Sequence, residues 1–285
     1  MIPAAFDYVK AGSVDEAVAA LSAGGEDAKV LGGGQSLLPV LRLRLNAPSV
    51  VIDVSEVPEM RTITDEGDSL LIGAAVTTYE VMHNDLVKQH AGLLAETAGT
   101  VADPAIRHKG TFGGSVAHAD PAGDLPTVAA AMDCEMVIAG PGGRRTVAAK
   151  DFFVDYFTTA LAIDEVLVAV RVPKLGSDWG FNYQKFNRTA QAWAIVGVAA
   201  LVRRENGSIA EARVALTNMG STPVRASGVE AALAGASAAA DSIGAAAEHA
   251  AEGTSPTSDL HADAAFRQHL ARVLTKRAVT AAAGV

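Results

Sequence analysis

Three consecutive glycines, Gly32-Gly33-Gly34, follow without a break on the short apolar run Lys29-Val30-Leu31. Glycine tolerates positive φ and leaves the main chain open to close approach. Successive N–H groups exposed in such a turn form a concavity suited to an anion such as a pyrophosphate. Taken alone, the triplet is equally compatible with a flexible turn after a buried strand. Two phosphate-binding patterns are excluded at once. In a dinucleotide fingerprint a third glycine would stand where Leu37 stands, and no suitably placed acidic residue closes a βαβ unit. No Gly-Lys-Ser/Thr occurs, so the P-loop pattern fails as well.

A second stretch, Gly110-Thr111-Phe112-Gly113-Gly114-Ser115, repeats the glycine logic with two hydroxyls attached, and His118-Ala119-Asp120-Pro121-Ala122-Gly123-Asp124 comes shortly after. Two loops, each able to grip one side of a diphosphate, suggest a dinucleotide held between two lobes. An aspartate just beyond would accept hydrogen bonds from ligand hydroxyls. Two other readings stand beside this one: His118, Asp120 and Asp124 as ligands of a hard or borderline metal, and Asp120 and Asp124 as turn formers beside Pro121 and Gly123.

The bulk properties narrow the class. A length of 285 residues allows two domains, or one large domain with an appendage, and 49% hydrophobic against 19% charged residues describes a folded chain. The net charge of −9 offers no basic face for nucleic acid or for an anionic membrane surface. Cys134 is the single cysteine, so this chain forms no internal disulfide and cannot by itself hold an iron–sulfur cluster or a thiolate zinc site. The first residues lack a basic segment followed by an apolar one, and no apolar run reaches the ~20 residues that span a bilayer. A cytoplasmic protein, not integral to a membrane, is expected.

Periodicity predicts alternating short elements. Residues 14–23 have helical spacing, and 29–31, 49–54 and 70–76 read as strands. Thr77-Thr78-Tyr79-Glu80 is a capping box opening a helix, and a further helix covers about 91–101. Beyond the second glycine stretch, 126–132 looks helical, 135–139 a strand, 152–161 a short helix and 166–172 a strand ended by Pro173. Strands follow over 181–186, 194–203 and 209–216, the last two joined through Asn206-Gly207, a strong hairpin signal. From Pro223 onward everything reads as helix, with 231–252 a solvated helix pair packed on a sheet. Residues 260–283 form a helix carrying Phe266, Leu270, Val273, Leu274 and Val279 on one side. The expected fold class is α+β, with a mixed domain over 1–175 (lobes about 1–57 and 58–175) and a domain of antiparallel sheet plus helices over 176–285.

Three segments in order, Gly32-Gly33-Gly34-Gln35-Ser36-Leu37-Leu38-Pro39, Ile106-Arg107 with Gly110-Thr111-x-Gly113-Gly114, and Asp120-Pro121-Ala122-Gly123-Asp124, resemble the FAD-binding medium subunit of molybdenum hydroxylases, the xanthine dehydrogenase and carbon monoxide dehydrogenase family. The likeness continues through Lys185-Phe186-x-Arg188, Thr222-Pro223-x-Arg225-Ala226 and Ala265-Phe266-Arg267 to Lys276-Arg277-Ala278. It implies a two-lobed vanillyl-alcohol-oxidase-like (PCMH-type) FAD-binding domain followed by the carbon monoxide dehydrogenase flavoprotein C-terminal domain. It also implies residue roles. Val30, Leu31, Gly32, Gly33, Gly34, Gln35, Ser36 and Leu37, with Thr111, Gly113, Gly114 and Ser115, would hold the diphosphate, and a side chain at Gly33 or Gly113 is expected to crowd it. Asp124 matches a residue touching the flavin's sugar-like chain, with His118 and Asp120 nearby. Leu161 and Lys185 match positions at or near the isoalloxazine, and Val101 is also expected to bind the cofactor. Trp193 would lie against the ring, the alternative being a core tryptophan on a strand.

Ser115, Ala105, His108 and Ala192 depart from the family's usual asparagine, glutamine, asparagine and aspartate. The implied function is an electron-transfer subunit with FAD as the reactive group and no catalytic side chain. Its partners would be a large molybdenum-cofactor subunit and a small [2Fe–2S] subunit, in a dimer of heterotrimers, with electrons leaving to an external acceptor. A stand-alone FAD-dependent oxidoreductase and a cofactor-free assembly subunit are the rival readings.

Overall fold

The glycine triplet ends a strand of a small parallel sheet. The structure, a computed structural model, describes residues 2–285. Strands Asp7–Lys10, Val50–Asp53 and Ala28–Leu31 lie side by side in that order, all parallel. Parallel neighbours need a crossover, and helix Val14–Gly24 supplies one. Ser13 caps it by accepting from the Glu16 amide at 3.1 Å, and Val14, Ala17, Val18 and Leu21 are its buried face. Val54 N–H donates to the Leu31 carbonyl at 2.9 Å, so the sheet's last rung sits directly before Gly32.

An antiparallel five-stranded sheet follows, in the order Ile63–Asp65, Ser69–Gly73, Val166–Pro173, Glu135–Gly140, Gly143–Ala148. The central strands are apolar nearly throughout because both faces are covered. The expected capping box forms at Thr77: Glu80 accepts from the Thr77 amide at 2.7 Å, and Thr77 Oγ1 accepts from the Glu80 amide at 3.2 Å. Helices Thr78–His83, Asp85–His90 and Gly92–Thr100 lead to two helices that begin at the cleft, Phe112–His118 and Asp124–Ala131.

The third sheet is antiparallel: Trp179–Phe186, Val196–Glu205, Ser208–Thr217, Val224–Arg225. Its hairpin turns at Asn206 and Gly207, with φ of 50° and 83°, as the Asn-Gly pair requires. Side chains alternate across this sheet. Ala199, Leu201 and Ala215 join the core beneath the first two sheets, while Val198, Ala200, Val202, Val214 and Leu216 join a second core under helices Ser227–Leu233, Ala240–Ala247 and Ala264–Ala283. The sheet is thus shared between two cores, which ties its outer edge strand, Trp179–Phe186, to the first layer of helices. No helix among the described residues is long and apolar enough to cross a membrane.

Four expectations need correction. Residues 152–161 are not a helix: Ala149–Phe152 ends there, and Phe153–Asp155 pairs with Thr158–Thr159 as a hairpin. The apolar spacing of four in this stretch imitates a helix. Asp155 Oδ1 instead accepts from the Tyr156 amide at 2.8 Å, and Phe157 turns the chain at φ 51°. The chain after Pro223 is not wholly helical, because Val224–Arg225 adds a short strand that the sheet edge recruits. The second glycine stretch is not a loop but the first turn of helix Phe112–His118, capped by Thr111. Finally, the last helix buries one stripe, which includes Leu270, Leu274 and Val279 as expected, but Phe266 does not lie on it. Arg267 and Thr275 are inside, whereas Phe266 is exposed and meets Phe186 edge-on at 6.2 Å.

Candidate functional site

A cleft of about 900 Å3 gathers residues from the parallel sheet, the five-stranded sheet, the helices between them and the edge strand of the third sheet. That is near the top of the roughly 300–1,000 Å3 usual for small-molecule sites. Every site residue expected from the sequence lines it except Leu31. Leu31 instead packs under the turn: a Cβ at Gly34 would lie 3.1 Å from its Cδ1.

The glycine turn presents a row of donors. The amides of Gly32, Gly33, Gly34, Gln35 and Ser36 make no hydrogen bond to another group among the described residues. Buried or half-buried amides are rarely left in that state. Ser36 stands at the start of helix Leu37–Arg42 without using its hydroxyl as a cap. Across the cleft, Thr111 Oγ1 accepts from the Gly114 amide at 3.0 Å, which leaves its hydrogen to donate elsewhere. The first segment offers N–H groups and the second the Thr111 and Ser115 hydroxyls, the amides of residues 112–115 being engaged within the protein, and this set suits an anion.

The bare Cα atoms of Gly33 and Gly113 have a cause within the protein itself. A Cβ on Gly33 would stand 1.9 Å from the Lys109 carbonyl oxygen and 2.7 Å from Gly110 Cα. One on Gly113 would stand 2.3 Å from Ala74 Cβ and 2.4 Å from its Cα. In both cases the missing side chain would strike protein backbone. Gly33 lets the first glycine turn close on the chain at Lys109 and Gly110, and Gly113 lets helix Phe112–His118 seat on Ala74.

The same cleft is lined by members of a buried polar cluster. Asp124 begins helix Asp124–Ala131, and its Oδ2 accepts from Lys185 Nζ at 2.7 Å. Both side chains are buried, with 4% and 7% of their surface exposed. Lys185 also donates to the Thr100 carbonyl at 3.2 Å, and Tyr183 Oη donates to Asp124 Oδ1 at 2.6 Å. Burial pushes the Asp124 carboxyl above its ordinary value, and Lys185 and then Tyr183 pull it back in part. Burial, reinforced by Asp124, raises the Tyr183 hydroxyl well above its usual range, so it stays protonated and donates.

The remaining expected residues sit on the walls. His118 ends its helix, with Ala119 turning at φ 50°, and its ring meets Phe157 at 5.1 Å. Burial lowers its pKa, with Asp120 opposing, so it is neutral at pH 7. Asp120 folds its own turn, Oδ1 accepting from the Ala122 amide at 2.9 Å. Val101 follows the end of helix Gly92–Thr100, and Arg107 donates to its carbonyl at 2.8 Å, fixing the wall beside Ala102. Trp193 lies in the loop before strand Val196–Glu205 with 57% of its surface exposed. It is a rim residue and not a core tryptophan. The departures at Ala105 and His108 have one visible consequence, a stack of His108 on Tyr79 at 3.9 Å. Among the described residues, no group of three or more His, Cys, Asp or Glu could hold a metal ion.

Sequence reasoning missed other lining residues, among them Asp103, Ile106, Phe157, Ile163 and Gln191. Phe157 was hidden by the misread hairpin, and Ile106 stood in a quoted motif without being assigned to the site. Asp103, Ile163 and Gln191 carry no local signal and reach the cleft only through the fold.

This cleft, with unengaged amides at the glycine turn and a carboxylate fixed by two buried donors, suits a cofactor that carries both a diphosphate and hydroxyls. Residues 4–175 match the family described as "FAD binding domain in molybdopterin dehydrogenase", and residues 181–282 match "CO dehydrogenase flavoprotein C-terminal domain". The chain belongs to this family of FAD-binding medium subunits of molybdenum hydroxylases, and FAD is its cofactor. It is 39% identical to the carbon monoxide dehydrogenase medium chain of Hydrogenophaga pseudoflava, covering 99% of this chain and 98% of the relative. It is 35% identical to the alpha subunit of the 6-hydroxypseudooxynicotine dehydrogenase complex of Paenarthrobacter nicotinovorans, covering 99% and 96%. A solved carbon monoxide dehydrogenase from H. pseudoflava superposes with a TM-score of 0.97 at 41% identity, covering 99% of this chain and 98% of that one.

Proposed function

We propose that this chain is the flavin-carrying electron-transfer subunit of a multi-subunit molybdenum hydroxylase. When bound, FAD supplies a redox centre that takes electrons from [2Fe–2S] clusters on a small partner and passes them to an external acceptor. The observation that carries the reading is the pairing, in one cleft, of unengaged glycine-turn amides with the buried Asp124–Lys185 pair. The amides of residues 32–36, within the stretch 30–37, and the hydroxyls of Ser36, Thr111 and Ser115, within 111–115, bind the diphosphate. Asp124 accepts from the hydroxyl-bearing chain, with His118 and Asp120 shaping the adjacent wall. Val101, Leu161, Lys185 and Trp193 line the part of the cleft that takes the ring, Val101 and Leu161 supplying apolar wall and Trp193 the exposed rim. No side chain of this subunit acts as acid, base or nucleophile.

Under this reading the chain divides near residue 176, with lobes of about 1–57 and 58–175, and it works in the cytoplasm in a dimer of heterotrimers. A large subunit bearing the molybdenum cofactor chooses the substrate. The relatives above are consistent with that division, since near-equal likeness extends to a carbon monoxide and to an N-heterocycle-derived dehydrogenase. The single buried Cys134 fits a chain that leaves the clusters to a partner.

The complex, purified gently with its partners, should show an oxidised-flavin visible spectrum and release one FAD per copy of this chain on denaturation. A partner-associated chain with no flavin would overturn the proposal in favour of an assembly role. A flavin-loaded chain that never co-purifies with a large and a small subunit would favour the stand-alone oxidoreductase.

A further inference from the structure

Tyr183 belongs to no glycine motif and to no charge signal, yet it is the centre of the buried cluster. Its Oη lies 2.6 Å from Asp124 Oδ1 and 3.0 Å from Thr217 Oγ1. Since the phenol gives its one proton to Asp124, Thr217 donates to the phenol oxygen; Thr217 Oγ1 lies 2.9 Å from Thr127 Oγ1, and Thr127 Oγ1 lies 3.3 Å from the Gly123 carbonyl. The chain of bonds leaves strand Trp179–Phe186, crosses strand Ser208–Thr217, enters helix Asp124–Ala131 and returns to the residue preceding Asp124. Thr127 and Thr217 are fully buried and Tyr183 nearly so. Space for the cluster is reserved by Gly197, paired with Lys185 in the sheet. A Cβ there would stand 2.4 Å from Tyr183 Oη and 2.8 Å from Thr217 Oγ1.

We infer that Tyr183, held by Thr217 and Thr127, is a positioning residue that fixes the Asp124 carboxylate for the cofactor's hydroxyl-bearing chain. Tyr183 and Lys185 are two apart on one strand and point the same way. They occupy one carboxylate oxygen each. A carboxylate oxygen has about two acceptor sites, so each keeps a lone pair while the rotamer is locked. Because Asp124 also lines the cleft, a carboxylate pinned in this way accepts from neutral hydroxyls and repels phosphate. The cofactor is therefore oriented with its diphosphate at the glycine turn. Without the phenol the carboxylate is tethered on one side only and can turn toward the Lys185 ammonium.

This inference rests on the proposed cofactor site, and the test separates the two. FAD rebinding to the deflavinated full complex is followed by quenching of flavin fluorescence, and the visible circular dichroism of the rebound flavin is recorded. Tyr183→Phe should weaken FAD binding roughly tenfold, the scale of losing one bond to a buried charged group, and should alter the flavin's circular dichroism. Thr217→Val should have a smaller effect. The double variant should match Tyr183→Phe alone, since the threonine acts through the phenol. Additive losses in the double variant, or unchanged affinity and dichroism in a folded Tyr183→Phe protein, overturn the positioning role. Asp124→Ala is the reference: if it leaves FAD affinity intact, the site assignment itself fails.

Discussion

Gly33→Ala should abolish flavin binding and lower the stability of the fold, although it adds a single methyl group. The added Cβ falls 1.9 Å from the Lys109 carbonyl oxygen and 2.6 Å from its carbonyl carbon. Neither atom is the end of a flexible side chain, so relief requires the glycine turn to separate from the chain at Lys109 and Gly110. Overpacking costs about 1–3 kcal/mol in well-packed sites and more where backbone must move, so a loss of roughly 3 kcal/mol is expected. The amides of Gly32 to Ser36 would move with the turn, and with them the diphosphate site. Gly142 is the control: a Cβ there meets nothing within 4 Å, and Gly142→Ala should retain flavin and stability. The measurement is a urea midpoint together with the 450-nm flavin absorbance of the purified complex. A Gly33→Ala protein with full flavin and an unchanged midpoint would show that the close contact does not set the geometry of the turn.

Lys185→Met should be the most damaging single change in the buried polar cluster. Methionine keeps most of the volume and removes the charge, which leaves the Asp124 carboxylate buried without its cation. Breaking a buried pair by removing one partner costs about 3–5 kcal/mol, and both members here are inside the protein. The loss should depend on pH. Burial already raises the Asp124 carboxyl in the folded chain, and Lys185 is the strongest influence holding it down. Removing it sends the folded value higher still. A carboxyl whose folded pKa exceeds its unfolded one contributes stability that is complete below the unfolded pKa of about 4 and is lost as pH rises through the folded value. The variant should therefore approach its parent in acid and fall further behind it toward neutrality. Urea midpoints at pH 5 and pH 8 measure this, and a gap that stays constant or shrinks as pH rises would contradict a buried, poorly compensated Asp124. FAD content should fall at both values, because the carboxylate's rotamer depends on the same ammonium.

What the sequence by itself determined is local, or lies in the order of its motifs. The Thr77 capping box, the Asn206-Gly207 hairpin and the helix starting at Val14 each depend on residues within one turn of each other, and all three form as expected. The glycine stretches and their family resemblance identified the cofactor, since backbone exposure at a turn needs no distant partner to be read. Even short-range patterns failed where two periods coincide, as in residues 152–161, whose apolar spacing of four fits a helix while the chain forms a hairpin.

Tertiary structure alone decided why the glycines are bare and what holds Asp124. Gly33 meets Lys109, Gly113 meets Ala74, and Tyr183 reaches Asp124 across 59 residues and Thr217 across 34. Steric exclusion and hydrogen bonding act through space at a few ångströms, and a one-dimensional pattern carries no record of which distant atoms will occupy that space. Sequence therefore marked the cleft and its cofactor, while the packing of three sheets against shared helices set the contact that closes the glycine cradle and the buried bonds that orient its carboxylate.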